Sequence, residues 1–282
     1  MRILLFLLFF TSLQSQSNYN RLQNLFIEWR KFENPTLLNG APDYTKKGFN
    51  KRKSAFNKLQ KKLNNIDTTN WSKSKQVDWQ IIEAEMNGYD FNFRVLKSWI
   101  RDPAFYQTIW MYQSDVPAHE GPVNHALLEY WQYTFPLNKQ AKEIFHRELA
   151  LIPAFLEQAK QNLTGNARDL WVAGINNLRD QTKYLNTIEK TLNEYQDKKK
   201  DKSIFEALQN AKVANNKFIR WLESEAPKKN GPSGIGKENY TWYQQNVHRV
   251  PLTWEEEVQL LQRELDRAWS SLKLEEERNK KL

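Results

Sequence analysis

Two stretches of the sequence contain residues whose types and spacing could do chemistry, and the first is a glycine-rich turn at 231–238. It reads GPSGIGKE, and Gly231, Gly236 and Lys237 occupy fixed positions of a phosphate-binding P-loop, G-x-x-x-x-G-K-[ST]. The hydroxyl that would hold Mg²⁺ is replaced by Glu238, whose carboxylate would repel phosphate. Because a helical pattern rather than a strand precedes the stretch, the sequence predicts a sharp turn presenting KENYTWY, and not a nucleotide site.

The second stretch, VPAHEGPVNHALLEYW at 116–131, resembles a zinc-binding arrangement. In the motif H-E-x-x-H, two histidines four positions apart share one helix face, with the Glu as general base. Here His119 and His125 are six positions apart, Glu120 lies between them, and Pro122 interrupts any helix. A helix turns by about 600° over six residues, so the two rings would face different directions. The spacing favours structural roles for the histidines, with hydrogen bonds to backbone groups in a packed turn.

Other catalytic arrangements find no match in the sequence. The chain has no Cys, which excludes a thiol nucleophile and thiolate metal ligands, and it contains no G-x-S-x-G motif. His146 and His248 show no metal-ligand spacing with the other histidines. We therefore expect no catalytic residues, no cofactor and no metal in this chain.

The N-terminal residues predict export. Arg2 precedes an apolar run, Ile3–Phe10, which is followed by small and polar residues. This is the layout of a signal peptide, predicted here as residues 1–17, and the run is too short to span a bilayer. A buried helix fits less well, because consecutive apolar residues leave no polar face. No Cys follows the run, so a lipid anchor is not predicted, and we expect no membrane partner after cleavage.

Charge and composition argue against a nucleic-acid partner and indicate what stabilises the fold. The formal net charge is +9, yet 42 basic residues are interleaved with 33 acidic ones. We see no basic stripe with interleaved aromatic residues, so we expect a solvated surface and no nucleic-acid partner. Without disulfides the chain depends on its hydrophobic core, to which 11 Trp, 11 Tyr and 15 Phe can contribute.

Helical periodicity predicts an all-α chain of about eight mostly long helices. An irregular aromatic segment interrupts them around 103–137, and the glycine-rich turn at 231–236 interrupts them again. The pattern extends one helix from Val77 to Trp99. Apolar faces mark the other helices, at Leu22, Leu25, Phe26, Trp29 and Phe32; at Phe49, Phe56, Leu59 and Leu63; and at Phe205, Leu208, Phe218 and Leu222.

Two pairs of residues have the spacing of a capping box, in which each side chain accepts a free backbone N–H at a helix start. They are Ser203 with Glu206, and Thr253 with Glu256. The last helix carries a heptad-like apolar stripe, and we expect it to run to the end of the sequence in a chain cut short. The stripe consists of Val258, Leu261, Leu265, Ala268 and Leu272.

Several segments in this order resemble a known family. They are RDPAFY (101–106), ELALIPAFLEQAKQNL (148–163) and GPSGIGKENYTWYQQNV followed by TWEEEVQLLQRELDRAW (231–269). The chain is similar to the N-terminal half of the bacterial family called domain of unknown function 885. The best marker is the turn formed by Gly234, Gly236, Glu238 and Tyr240.

The resemblance implies a large, mostly helical, often exported protein similar to zinc metallopeptidases. In that family a His-Glu zinc motif lies in the C-terminal half, beyond the point where this sequence ends, so no zinc ligand is carried over to this chain. Residues 18–282 are then the helical N-terminal part of a larger domain, and zinc is expected only in the absent half.

We therefore expect a non-catalytic helical half that walls a peptide-substrate cleft and whose partner is the remaining half of the same polypeptide. The candidate cleft-lining residues are His119, Glu120, His125, Gly234, Gly236, Glu238, Tyr240 and Tyr243. The alternative is a complete secreted helical scaffold that holds a peptide or glycan on an aromatic surface.

Overall fold

The computed structural model describes residues 2–113 and 125–280 and confirms the predicted all-α fold. Helix accounts for 74% of the structure and strand for 4%. In the described part, eight helices have seven or more residues and α4 is a single turn. The helices are α1 (Arg2–Glu33), α2 (Lys46–Asn64), α3 (Lys73–Phe91), α4 (Ser98–Arg101), α5 (Lys139–Asn162), α6 (Arg168–Tyr195), α7 (Lys202–Glu225), α8 (Lys237–Tyr243) and α9 (Trp254–Arg278).

The remaining elements are short. Strands β1 (Leu37–Leu38) and β2 (Ala41–Pro42) pair antiparallel, whereas β3 (Ile109–Trp110) and β4 (Leu128–Glu129) pair parallel. The last pair lies in the predicted irregular aromatic segment, of which residues 114–124 fall outside the described part. None of the described helices combines the length and apolar character needed to cross a membrane.

The helix predicted from Val77 to Trp99 is broken in two. After α3, residues Asn92–Leu96 form a π-helical turn, and Lys97 then adopts a left-handed conformation with φ of 47°. The left-handed conformation of Lys97 interrupts the helix, so that α4 starts as a separate turn. The periodicity of apolar residues continues through the break, which is why the sequence pattern did not reveal it.

Helices α5, α6 and α7 form the main hydrophobic core, together with the aromatic segment. Their apolar faces are fully buried at Phe145, Leu149, Trp171, Leu208 and Phe218. The predicted positions Phe205, Leu208, Phe218 and Leu222 are all buried, which confirms the periodicity of α7.

A buried polar side chain holds the irregular segment on this core. The Gln181 Oε1 atom accepts hydrogen bonds from the backbone N–H groups of Thr108 (2.7 Å) and Ile109 (3.2 Å). Its Nε2 group donates to Oδ1 of Asn215 on α7, at 2.8 Å. Since a buried amide without partners is costly, the three elements are fixed to one another at this point.

A second core lies between α1, α2 and α3. Leu22, Leu25 and Trp29 of α1 are buried as predicted, and so are Phe56, Leu59 and Leu63 of α2. Phe26 is an exception, because it is 37% exposed and carries the Arg30 guanidinium 4.7 Å above its ring. Phe49, also on α2, belongs instead to the main core, so α2 contributes to both clusters.

One of the two predicted capping boxes is wrong. α7 begins at Lys202, so Ser203 lies inside the helix, and Asp201 precedes it. The Asp201 carboxylate accepts both of its hydrogen bonds from Lys142, at 2.8 Å, and does not cap the helix. The box of Thr253 and Glu256 at the start of α9 is confirmed in both directions. α9 ends at Arg278, with Asn279 as its C-cap.

Candidate functional site

The glycine-rich turn packs against the start of α6. The backbone oxygen of Gly231 accepts a hydrogen bond from the Arg168 N–H at 3.2 Å, and Gly231 forms a β-bridge with Ala167. A Cβ atom on Gly231 would lie 2.1 Å from the backbone oxygen of Asn166, so this close approach requires glycine. The turn follows α7 and a short 3₁₀ turn, not a strand.

The turn supplies the cap that α6 lacks. Ala167, at the N-cap position, has no side-chain acceptor. Instead, the Ser233 Oγ atom accepts hydrogen bonds from the backbone N–H groups of Asp169 (2.8 Å) and Leu170 (3.3 Å). A hydroxyl oxygen thus occupies the helix N-terminus, the place where a phosphate binds in other folds.

Arg101 and a pair of asparagines also hold the turn in place. The Arg101 guanidinium donates to the backbone oxygens of Pro232 (3.2 Å) and Ser233 (3.0 Å). Asn166 and Asn230 bond reciprocally, since the Asn166 Nδ2 group donates to Asn230 Oδ1 and the Asn230 N–H donates to Asn166 Oδ1. The roles of Ser233, Arg101 and the Asn pair are not visible in the sequence, because their contacts join positions that are far apart in the chain.

The opposite side of the turn faces open space. Cβ atoms built on Gly234 and Gly236 would meet no atom within 4 Å. Gly236 has φ of 81° and precedes α8. Glycine is favoured at this position because of the backbone conformation, and not because neighbouring atoms leave too little space for a side chain. The side chain of Glu238 is exposed beside them. The backbone at Gly234 and Gly236 is therefore not covered by neighbouring side chains.

Aromatic residues of α8, the helix that follows the turn, contact α9 and α3. The Tyr240 hydroxyl donates to Glu257 Oε2 at 2.5 Å, and this hydrogen bond raises the pKa of Tyr240. The Tyr243 ring packs against His248, with centroids 4.9 Å apart, and against Phe91 of α3 at 4.8 Å. Four of the predicted cleft-lining residues, Gly234, Gly236, Glu238 and Tyr240, thus lie together, and Tyr243 is fixed against α3.

Two tryptophans that the sequence pattern did not single out lie on α8 and at the start of α9. Trp242 carries the Arg94 guanidinium 5.2 Å above its ring, and Trp254 carries Lys237 Nζ at 3.7 Å. The backbone N–H of Trp254 donates to the Thr241 hydroxyl at 3.0 Å, which ties the start of α9 to α8. The density of aromatic residues in YTWY could have indicated this patch.

His125 belongs to a different part of the molecule. Its backbone N–H donates to the Tyr44 hydroxyl at 3.0 Å, and its Nδ1 atom lies 3.3 Å from the same oxygen. Burial and the nearby Arg52 guanidinium lower the pKa of His125 to about 4, so the ring is neutral at pH 7. These contacts fit the predicted structural role in a packed turn. His119 and Glu120 fall between 114 and 124, outside the described residues.

The described residues show no metal-binding geometry. No group of three or more His, Cys, Asp or Glu side chains converges in residues 2–113 and 125–280.

Helix α9 leaves an apolar surface uncovered. None of its residues is buried, and its predicted stripe faces solvent. Leu261 is 66% exposed, Leu265 50% and Leu272 47%, and Trp269 beside them is 55% exposed. The contacts of α9 with the rest of the described chain involve its first turn, through Tyr240, Thr241 and Lys237. Monomeric soluble proteins rarely expose apolar residues in such a continuous row.

Comparison with known proteins supports the fold and identifies a family. No curated protein matches the sequence. A solved structure from Shewanella oneidensis, described as a candidate lipoprotein of unknown function, is similar in fold with a TM-score of 0.61 and 16% sequence identity. The match covers 90% of this chain and 45% of that one, so this chain spans about half the length of that protein. Residues 38–275 match the family model described as "Bacterial protein of unknown function (DUF885)", and the chain therefore belongs to this family.

Proposed function

We propose that the chain is the non-catalytic helical half of an exported protein similar to zinc metallopeptidases. The observation that carries this proposal is the uncovered apolar stripe of α9, which needs a partner surface of comparable length. We assign that surface to a further segment of the same polypeptide. The solved structure with the same fold supports this assignment, because it has about twice as much chain to fold around such a helix.

In this proposal the turn and α8 wall a peptide cleft. The backbone at Gly234 and Gly236 is open to a ligand, and Glu238 and Tyr240 provide hydrogen-bonding groups beside it. The aromatic residues behind them offer apolar contact to side chains of a peptide. Zinc and the general base would come from the further segment, since catalytic zinc needs about three protein ligands and one open position.

Two observations support export. The run Ile3–Phe10 after Arg2 has the layout of a signal peptide, which makes residues 18–282 the mature part. The similar structure from Shewanella oneidensis is described as a candidate lipoprotein, and such proteins occupy the cell envelope. Fusion of residues 1–17 to a reporter that is active only outside the cytoplasm tests this step.

Comparison of the 282-residue chain with a polypeptide extended through the downstream reading frame tests the whole proposal. We expect stoichiometric zinc and metal-dependent peptide hydrolysis in the longer polypeptide and neither in the shorter. In the longer polypeptide, Glu238→Gln and Tyr240→Phe should raise KM for peptides, whereas Glu206→Gln, on an exposed site of α7, should not. Zinc with hydrolysis in the shorter chain would overturn the proposal and make His119, Glu120 and His125 the first residues to substitute.

The aromatic patch favours a second candidate function, a helical scaffold that binds a peptide or glycan without catalysis. Trp254 is half-buried and carries Lys237 Nζ at 3.7 Å, whereas the Trp242 ring already stacks on Phe91 with centroids 5.6 Å apart, so Trp254 is the candidate for stacking. Saturable quenching of tryptophan fluorescence by an oligosaccharide or peptide, lost in Trp254→Ala of the 282-residue chain, supports this function. A longer polypeptide with zinc-dependent hydrolysis contradicts it.

A further inference from the structure

Helix α2 has a charge composition unlike the rest of the chain. It contains seven Lys, one Arg and no acidic residue among 19 positions. The Arg52 side chain points inward and donates to backbone oxygens at the end of α1, at Asn34 (2.9 Å) and Phe32 (3.0 Å). The seven lysines, in contrast, are all exposed. In this helix the basic residues are not interleaved with acidic ones, contrary to the pattern of the chain as a whole.

Five of these lysines form one continuous face, called here the lysine face. They are Lys47, Lys51, Lys58, Lys61 and Lys62. At 100° per residue they lie within about 100° of each other around the helix, opposite the buried Phe56, Leu59 and Leu63. The face extends over about 22 Å at 1.5 Å per residue. Asn50, Ser54 and Asn57 complete it, so its polar character is uninterrupted.

The lysine face is poorly compensated by the protein itself. Lys62 pairs with Glu28 at 2.6 Å. In residues 2–113 and 125–280 no carboxylate comes within ion-pair distance of Lys47, Lys51, Lys58 or Lys61. Like charges at this spacing repel one another, and an anionic partner would relieve that repulsion.

The position of α2 indicates the kind of partner. α2 runs antiparallel to α1, and the Asn18 Nδ2 group donates to the backbone oxygen of Asp67 at 3.3 Å, just beyond the end of α2. From Asn18, α1 continues to Arg2 and includes the apolar run Ile3–Phe10. The C-terminal end of the lysine face therefore lies near Asn18, at the start of the predicted mature chain. The lysine face thus belongs to the mature chain, and an extended polybasic patch is attracted to the negative surface of anionic lipids.

We propose that the lysine face binds peripherally to a membrane surface that contains anionic phospholipids. A convex helix face cannot enclose a small anion, whereas it can lie along an extended negative surface. The face has no exposed aromatic residue on which nucleic-acid bases could stack. The binding is electrostatic and does not require the apolar segment, so it persists in the mature chain. It replaces our expectation from the sequence that the mature chain has no membrane partner.

Vesicle sedimentation with the 282-residue chain tests the proposal. We expect binding to vesicles of phosphatidylglycerol and phosphatidylcholine in equal parts, weak binding to phosphatidylcholine alone, and loss of the difference at high salt. The variant Lys47→Gln, Lys51→Gln, Lys58→Gln, Lys61→Gln should bind the anionic vesicles at least about tenfold more weakly, since each lysine near a charged surface contributes separately. Gln is a good helix former, and circular dichroism verifies that the variant is folded.

A matched control removes the same charge elsewhere. Lys139→Gln, Lys190→Gln, Lys199→Gln and Lys217→Gln alter four exposed lysines on α5, α6, α7 and a loop. This control should keep the binding of the unaltered chain. Equal losses in both variants would show that net charge alone is responsible, and equal binding to both vesicle types would assign it to the apolar segment. Unchanged vesicle binding with weaker binding of a single-stranded oligonucleotide would identify nucleic acid as the partner. Each of these three results overturns the proposal.

Discussion

Gly231 and Gly234 are three positions apart in the glycine-rich turn, yet their surroundings differ completely. A Cβ on Gly231 would collide with the Asn166 backbone oxygen at 2.1 Å, and a Cβ on Gly234 would enter open space. We expect Gly231→Ala to lower the free energy of unfolding by about 2–3 kcal/mol, as overpacking against a fixed backbone does. Gly234→Ala should change it by less than about 0.5 kcal/mol. Urea unfolding of both variants measures the difference, and equal effects would contradict the assignment.

His125 provides a prediction about pH at the same scale. Its pKa is lowered to about 4 by burial and by Arg52, whereas an unfolded histidine has a pKa of about 6.5. As the pH falls from about 6.5 to about 4, the unfolded chain takes up a proton that folded His125 does not. The free energy of unfolding should therefore decrease in this window, by up to about 1 kcal/mol per pH unit from this group.

The variant His125→Gln isolates this contribution. Urea unfolding at pH 7 and pH 5 should show a smaller loss of stability in the variant than in the unaltered chain. The same loss in both proteins would mean that His125 is protonated in the folded state as easily as in the unfolded one.

At the scale of the elements, a helix cap comes from Ser233 and not from Ser203, to which the spacing assigned one. Ser233 caps α6 from a distant turn, whereas Ser203 lies inside α7. We expect Ser233→Ala to lower the free energy of unfolding by about 1 kcal/mol, the usual cost of a lost N-cap. Ser203→Ala should be neutral or slightly stabilising, because Ala favours the helix interior. Thermal unfolding of the two variants tests this expectation. A larger loss of stability for Ser203→Ala than for Ser233→Ala would indicate that Ser203 does cap α7.

These serines illustrate which structural features a sequence pattern can predict and which it cannot. Periodicity predicts the fold class and buried faces such as Phe56 and Leu208, because burial repeats with the helical period. The local capping box at Thr253 is also predictable, since both partners lie within one turn. The cap from Ser233, the brace from Arg101 and the pairing of Gln181 with Thr108 depend on residues brought together by the tertiary fold. No local spacing encodes them.

For the candidate site, the sequence pattern locates the turn but not its neighbours. It singles out Gly234, Gly236, Glu238 and Tyr240, which lie together, and it groups His125 with them, although His125 packs on Tyr44. A motif reveals which residues are close in the chain. The helix break at Lys97 is not predicted for a related reason, since one left-handed residue does not change the periodicity of the apolar residues.

At the scale of the whole molecule, the stripe of α9 should control association. We expect the 282-residue chain to self-associate, and Leu261→Gln with Leu265→Gln to weaken this association at least tenfold, because each buried leucine contributes roughly 1.5–3 kcal/mol. These leucines are at least half exposed, so the thermal midpoint should not change. Sedimentation velocity over a range of concentrations measures the effect.

Arg263→Gln with Arg267→Gln, on the opposite side of α9, serves as the control and should leave association unaltered. A strictly monomeric unaltered chain would contradict the prediction that the stripe needs a cover.

Of the described helices, only α2 contributes to both hydrophobic cores, and this arrangement affects the order in which the molecule unfolds. Trp29, Met86 and their neighbours form a small cluster, whereas the cluster of α5–α7 is larger and is braced by Gln181. Amide groups in α1 and α3 should therefore exchange with deuterium through a partial opening of lower free energy than amides in α6 and α7. Hydrogen-exchange mass spectrometry at several urea concentrations distinguishes this behaviour from a single cooperative unit, in which all helices would exchange at the global free energy.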